Sequence, residues 1–82
     1  MSNPVDVDGL VEYLVTSLVE HPDEVRIEKR VGAESTTYEV SVNPDDTGKV
    51  IGRQGRVIKA IRVLVRAAAS AEDADATVEV IG

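Results

Sequence analysis

The sequence predicts an α+β domain with its elements in the order α-β-β-α-α-β. Three observations carry that prediction. Apolar residues recur at helical spacing in the first twenty residues, and again after residue 56. Between these stretches, two runs alternate apolar and polar residues across a short turn, and a third such run closes the chain. A glycine pair, Gly52 and Gly55, separates a short helical start from the long one. At 82 residues the chain makes one domain with a modest core.

Val7, Leu10, Val11, Leu14 and Leu18 fall on one helical face and predict a helix over about 5–20. Asn3-Pro4, Asp6 and Asp8 are rival caps for it, and Gly9 weakens it slightly. His21-Pro22 ends it, because the residue before a proline avoids the helical region. Val25, Ile27 and Val31 alternate with Arg26, Glu28 and Arg30, which predicts a half-buried strand over about 24–31; Lys29 breaks the pattern. After the turn Gly32-Ala33-Glu34-Ser35, Tyr38, Val40 and Val42 alternate with Thr37, Glu39 and Ser41, a second strand over about 36–42 that completes a hairpin.

Asn43-Pro44-Asp45-Asp46 reads as a helix start, with a cap, a proline and two acids in the first turn. The short helix, about 44–51, leads into the bend at 52–55. The longest helix follows, over about 56–71. Val57, Ile58, Ile61, Leu64, Val65 and Ala68 share one arc of it, and Arg56, Lys59, Arg62 and Arg66 share the opposite arc with Val63 between them. Glu72-Asp73-Ala74-Asp75 is a polar turn. Ala76, Val78 and Val80 then alternate with Thr77 and Glu79 in a last strand over about 76–81.

Composition excludes several classes of function. There is no cysteine, which rules out disulfides and thiolate metal sites and fits a reducing compartment. Met1 to Asp6 show no basic segment leading into an apolar run, so no signal peptide is expected. No apolar run approaches the ~20 residues of a membrane span. His21 is the single histidine and suits a helix C-terminus. Asp45-Asp46 belong to a helix start, and Asp73 and Asp75 serve solubility, with no metal-ligand spacing in either pair. No Ser-His-Asp or Cys-His set is available, and Gly48 to Gly55 lacks the Lys-Ser/Thr pair of a P-loop. The expectation is a non-enzyme without cofactor or metal.

Net charge is −6, which at first sight disfavours a nucleic-acid partner. The distribution reverses that reading. Six of the nine basic residues lie between Lys49 and Arg66 with no acid among them, while the rest of the chain carries three basic and fifteen acidic residues. A concentrated positive segment on an acidic body makes an oriented field and turns nucleic acid away from the other faces.

The positive segment coincides with Val50-Ile51-Gly52-Arg53-Gln54-Gly55-Arg56-Val57-Ile58. Glycines three apart let the backbone turn tightly and let another backbone approach closely. A helix starting after such a turn directs free N–H groups and positive partial charge at the loop. A bare Gly-x-x-Gly is also an ordinary helix-to-helix turn, and helix-turn-helix proteins use one. The nine-residue run, however, fills every fixed position of the KH signature (V/I)-I-G-x-x-G-x-x-I. The N-terminal helix with its Glu-Tyr pair, the Pro-Asp-Glu-Val turn and the Gly-Lys-Val-Ile-Gly-x-Gln-Gly-Arg run extend the likeness. Over nearly its whole length the chain resembles the small stand-alone bacterial KH proteins of the KhpA family.

That resemblance implies a type II KH fold, a three-stranded sheet covered on one face by three helices. It also implies a GXXG loop that clamps the backbone of about four nucleotides of single-stranded RNA. The implied role is that of an RNA chaperone or post-transcriptional regulator in the bacterial cytoplasm, bearing on cell shape. It works as a homodimer or with a larger KH-containing partner; the alternative is a module that serves mainly for protein pairing. On the matching positions, Gly52 and Gly55 form the clamp. Arg53 contacts phosphate by charge, and Gln54 either hydrogen-bonds phosphate or sugar or is merely solvated. Lys49 and Arg56 bracket the loop, and Lys59 follows one turn on. Arg62 stays open between roles, and Arg66 reads as solvated or paired with acids. Val50 or Ile51 offers an apolar floor for bases, while Ile58 and the other of that pair belong to the core. With only Tyr13 and Tyr38 as aromatics, no stacking platform is possible, so binding leans on charge. Three to five neutralised phosphates correspond to a log–log salt slope of about −2 to −3.5.

Overall fold

Asp6 opens the first helix. Its backbone is extended, and its Oδ1 accepts the Asp8 amide at 3.2 Å, which satisfies one of the orphan donors of the first turn. The computed structural model describes residues 6–81, so the rival Asn3-Pro4 cap lies outside the described residues. Helix α1 spans Val7–Leu18 and buries Val11 and Val15 completely, with Val7, Leu10, Leu14 and Leu18 packed at their margin. It stops before His21-Pro22. Val19 turns extended, and the next two amides, Glu20 and His21, leave the helix to donate to Asp46, each at 3.1 Å. Pro22 then opens a 3₁₀ turn, Pro22–Glu24.

Strand β1, Arg26–Val31, pairs antiparallel with β2, Thr36–Ser41, from Arg26 opposite Ser41 to Val31 opposite Thr36. β3, Ala76–Val80, pairs parallel with β2, so the sheet order is β1-β2-β3. A parallel pair needs a long crossover. It is supplied by a 3₁₀ turn at Pro44–Asp46, helix α2 at Thr47–Ile51, the bend, and helix α3 at Arg56–Ser70. Asn43 caps that crossover as expected, its side chain accepting the Asp45 amide at 2.8 Å. Tyr38, Val40, Ala76 and Val78 are buried beneath the helices, while Thr37, Glu39, Ser41 and Glu79 face away. The result is the expected α+β fold, one mixed sheet with helices on one face.

Two expectations about burial are corrected. β1 is not half buried, because only Ile27 is partly covered and Val31 is 74 % exposed. The strand is the sheet's edge and extends past the helix layer, so its inward side chains find little to pack against. Lys29 does not interrupt the alternation. It stands on the helix side opposite Tyr38, holds its ammonium over that ring at 6.0 Å from the centre, and places Nζ 3.1 Å from Asp8. On α3 the sealed stripe is Ile58, Ile61, Val65 and Ala69, while Leu64 is half exposed.

The Tyr38 hydroxyl donates to Asp8 beneath α1. That hydrogen bond lowers the Asp8 carboxyl below its ordinary range; desolvation opposes it, and Lys29 adds to it. A depressed folded-state value stabilises above the unfolded value, near pH 4, and the stabilisation is lost as pH falls through the folded value. The melting-temperature gap between wild type and Asp8→Asn is therefore expected to be full at pH 6 and to close below about pH 4. A gap of equal size at pH 3 would overturn this account.

Candidate nucleic-acid interface

α2 is five residues long and ends in Gly52, whose φ of 79° and ψ of 171° form a conformation essentially reserved for glycine. A Cβ at Gly52 would collide with Val57 Cγ2. It would also stand 2.7 Å from Val57 Cβ and 2.8 Å from the Val57 amide nitrogen. The second helix is thus built directly against this α-carbon. Gly55 differs: its φ of 74° and ψ of 18° are left-handed, but a Cβ there would meet only Ile58 Cγ2, at 3.9 Å. Between them Gln54 also has a positive φ, 59°. A non-glycine residue there costs on the order of 1 kcal/mol, so the tip stores local strain.

The bend is open rather than sealed. Gly52 donates to Gly48 O at 2.8 Å, Gly55 to Gly52 O at 3.1 Å, and Arg56 to Arg53 O. The amides of Arg53 and Gln54, at the tip, have no acceptor among the described residues. Both side chains are exposed, and Gln54 Oε1 accepts Arg56 Nη2 at 3.3 Å. Arg53, Arg56 and Lys59 have no carboxylate within ion-pair distance among the described residues, so three unpaired cations lie on the loop and the first turn of α3, next in the chain to two unsatisfied N–H groups.

Other expected site residues are placed differently. Val50 is completely buried, so it belongs to the core and offers no floor to a base; Ile51, half buried, is the member of the pair that reaches the surface. Lys49 turns away from the loop toward acids, with Nζ 3.4 Å from Asp46 Oδ1 and 3.6 Å from Glu20 Oε2. Arg62 Nε donates to Val78 O at 2.8 Å, tying α3 to the outer edge of β3. Arg66 pairs with Asp75 at 3.6 Å, the plain reading of that residue.

Sequence reasoning missed one feature. A groove of about 390 Å³ lies between α3 and the β3 edge, lined by Arg62, Val63, Arg66, Ala67 and Thr77 among others. It continues the basic stripe that starts at Arg56. Its signal in the sequence was Val63, the apolar residue in a basic arc, which is 66 % exposed. A surface that joins a strand edge to the second helix is foreign to a helix-turn-helix, where the second helix enters a DNA groove free of any sheet.

Comparison with known proteins places these features in a family context. A family model described as KhpA/KhpB, KH domain, matches residues 8–80. The RNA-binding protein KhpA of Clostridium perfringens is 49% identical over 72 residues, covering 88% of this chain and 96% of the relative. That of Clostridium acetobutylicum is 47% identical over 72 residues, with 88% and 96% covered. That of Halalkalibacterium halodurans is 46% identical over 72 residues, with 88% and 95% covered.

Proposed function

The chain belongs to the KhpA/KhpB KH-domain family, and from that premise we propose that it is a non-catalytic binder of short single-stranded RNA, gripped at Gly52–Gly55. The observation that carries this reading is the pair of acceptor-less amides at Arg53 and Gln54, in a loop whose own and following exposed cations, Arg53, Arg56 and Lys59, are free of ion pairs among the described residues. Backbone N–H groups and cations in that arrangement suit phosphate oxygens, which position a strand without reading its sequence. The bases then lie over Ile51 and along the α3–β3 groove, whose strand edge offers backbone hydrogen-bonding groups. They find no stacking platform, because Tyr38 is buried with its hydroxyl committed to Asp8 and Tyr13 stands on α1. The relatives named above are RNA-binding proteins, which favours RNA over other polyanions.

A single grip of this size is weak, so a role as an RNA chaperone or post-transcriptional regulator in the cytoplasm draws on avidity. A homodimer, or a larger KH-containing partner, supplies the second grip. The test is the double variant Arg53→Asp with Gln54→Asp. Aspartate tolerates the left-handed conformation at position 54 better than most residues, so the fold is kept while two negative charges stand where phosphate sits. Affinity for a labelled single-stranded oligoribonucleotide is expected to fall at least tenfold, with the circular dichroism spectrum unchanged. Unaltered affinity in a folded variant removes the assignment.

A further inference from the structure

Among the described residues Asp46 is the one charged side chain that is completely buried. A buried carboxylate is costly unless fully partnered, and even a paired one seldom adds net stability. Its partners are unusual in origin. Oδ1 accepts the Glu20 amide and Oδ2 the His21 amide, each at 3.1 Å. Two successive backbone N–H groups form an anion-binding concavity, and here the anion comes from a residue about 25 positions further along the same chain. Lys49 closes the arrangement from one turn further along, with Nζ 3.4 Å from Oδ1, and Glu20 Oε2 meets the same ammonium at 3.6 Å.

The location gives the clasp its consequence. Asp46 is the residue immediately before α2, and α2 ends at Gly52. Five residues do not hold a helix by themselves. Helix α2 is anchored by Val50, sunk in the core, and by Asp46, locked to the connection between α1 and β1. Together these two attachments fix the direction in which the helix delivers Gly52 and the amides beyond it.

Building on the RNA reading above, we propose that Asp46 is a positioning residue for the gripping loop, and that Lys49 serves as its counter-charge rather than as a phosphate contact. Burial pushes the Asp46 carboxyl up, but the two amides and Lys49 outweigh it and leave it below the ordinary range, in keeping with a permanently charged anchor.

The first arm of the test uses RNA-free protein. Asp46→Asn leaves one carbonyl oxygen and turns an NH₂ toward a backbone donor. The ¹H–¹⁵N resonances of Glu20, His21 and Gly52 to Gly55 are expected to move together, at a temperature where circular dichroism shows the variant folded. Should that variant not fold, Lys49→Met keeps the carboxylate in its concavity and removes only the counter-charge, and the same loop resonances are expected to shift. Loop resonances that stay in place in a folded variant overturn the proposal. The second arm uses a labelled oligoribonucleotide: Arg53→Gln is expected to flatten the log–log salt slope by about 0.7 and Lys49→Gln to leave it unchanged. Equal flattening in both overturns the role given to Lys49. A wild-type protein without RNA affinity would sink the function itself, and the RNA-free arm would still decide the clasp.

Discussion

Gly52→Ala is expected to lose about 4 kcal/mol of folding stability, the sum of a backbone conformation closed to alanine and a methyl group forced into Val57. A domain of this length holds on the order of 4–12 kcal/mol in all, so the variant sits at the edge of unfolding. The collision cannot be relieved by a side-chain rotation, since Val57 Cβ and the Val57 amide nitrogen are both closer than 3 Å to the new carbon. Gly55→Ala is expected to cost only about 1 kcal/mol, because its left-handed conformation is strained but the space beside it is open. Urea unfolding of the two variants side by side checks this ranking. Equal losses would mean that Gly52 is there for close approach of a ligand alone, with no part in holding α2 to α3.

The ranking shows what the amino-acid sequence carries and what it withholds. The two glycines look equivalent in a one-dimensional pattern. They separate only when Val57 is seen folded back on the first of them. The bend and its helices were legible because their information is local: glycine spacing, apolar period, and the Asn43-Pro44 start. Alternation along β1 put Ile27 and Val31 on one side but read Lys29, which shares that side, as a break, because no local pattern tells how far a helix layer reaches. Val31 is therefore bare and Lys29 lies over a tyrosine. Val50 and Ile51 are adjacent in a very short helix, and only the packing of α1 and α3 around it decides which is sealed. The Lys49–Asp46 pair is three residues apart and readable in principle. The Glu20 and His21 amides that make it a clasp are more than twenty residues away. The α3–β3 groove depends on β3 joining β2 in parallel, which the long helical crossover permits and no single side chain announces.

RNA affinity is expected to fall about 100-fold when monovalent salt rises tenfold, from 50 to 500 mM, a log–log slope of about −2. The charge inventory sets this number. Of the six cations between Lys49 and Arg66, Lys49 is held by Asp46 and Glu20, Arg62 is tied by its Nε to Val78 O, and Arg66 is paired with Asp75. Arg53, Arg56 and Lys59 remain, and three phosphates on a single strand correspond to about −0.7 each. The basic residues of β1 are engaged elsewhere: Lys29 is paired with Asp8, Arg30 with Glu39 at 2.8 Å, and Arg26 directs Nη1 at the Asp23 and Val25 carbonyls, at 3.5 and 3.4 Å. The structure therefore selects the shallow end of the range that the sequence alone allowed. Fluorescence anisotropy of a labelled single-stranded oligoribonucleotide at several salt concentrations measures it. A slope steeper than about −3 would require at least two of Lys49, Arg62 and Arg66 to abandon their protein partners for phosphate. A slope near zero would leave the exposed amides and their three cations without the polyanion that explains why the acidic chain gathers its positive charge there.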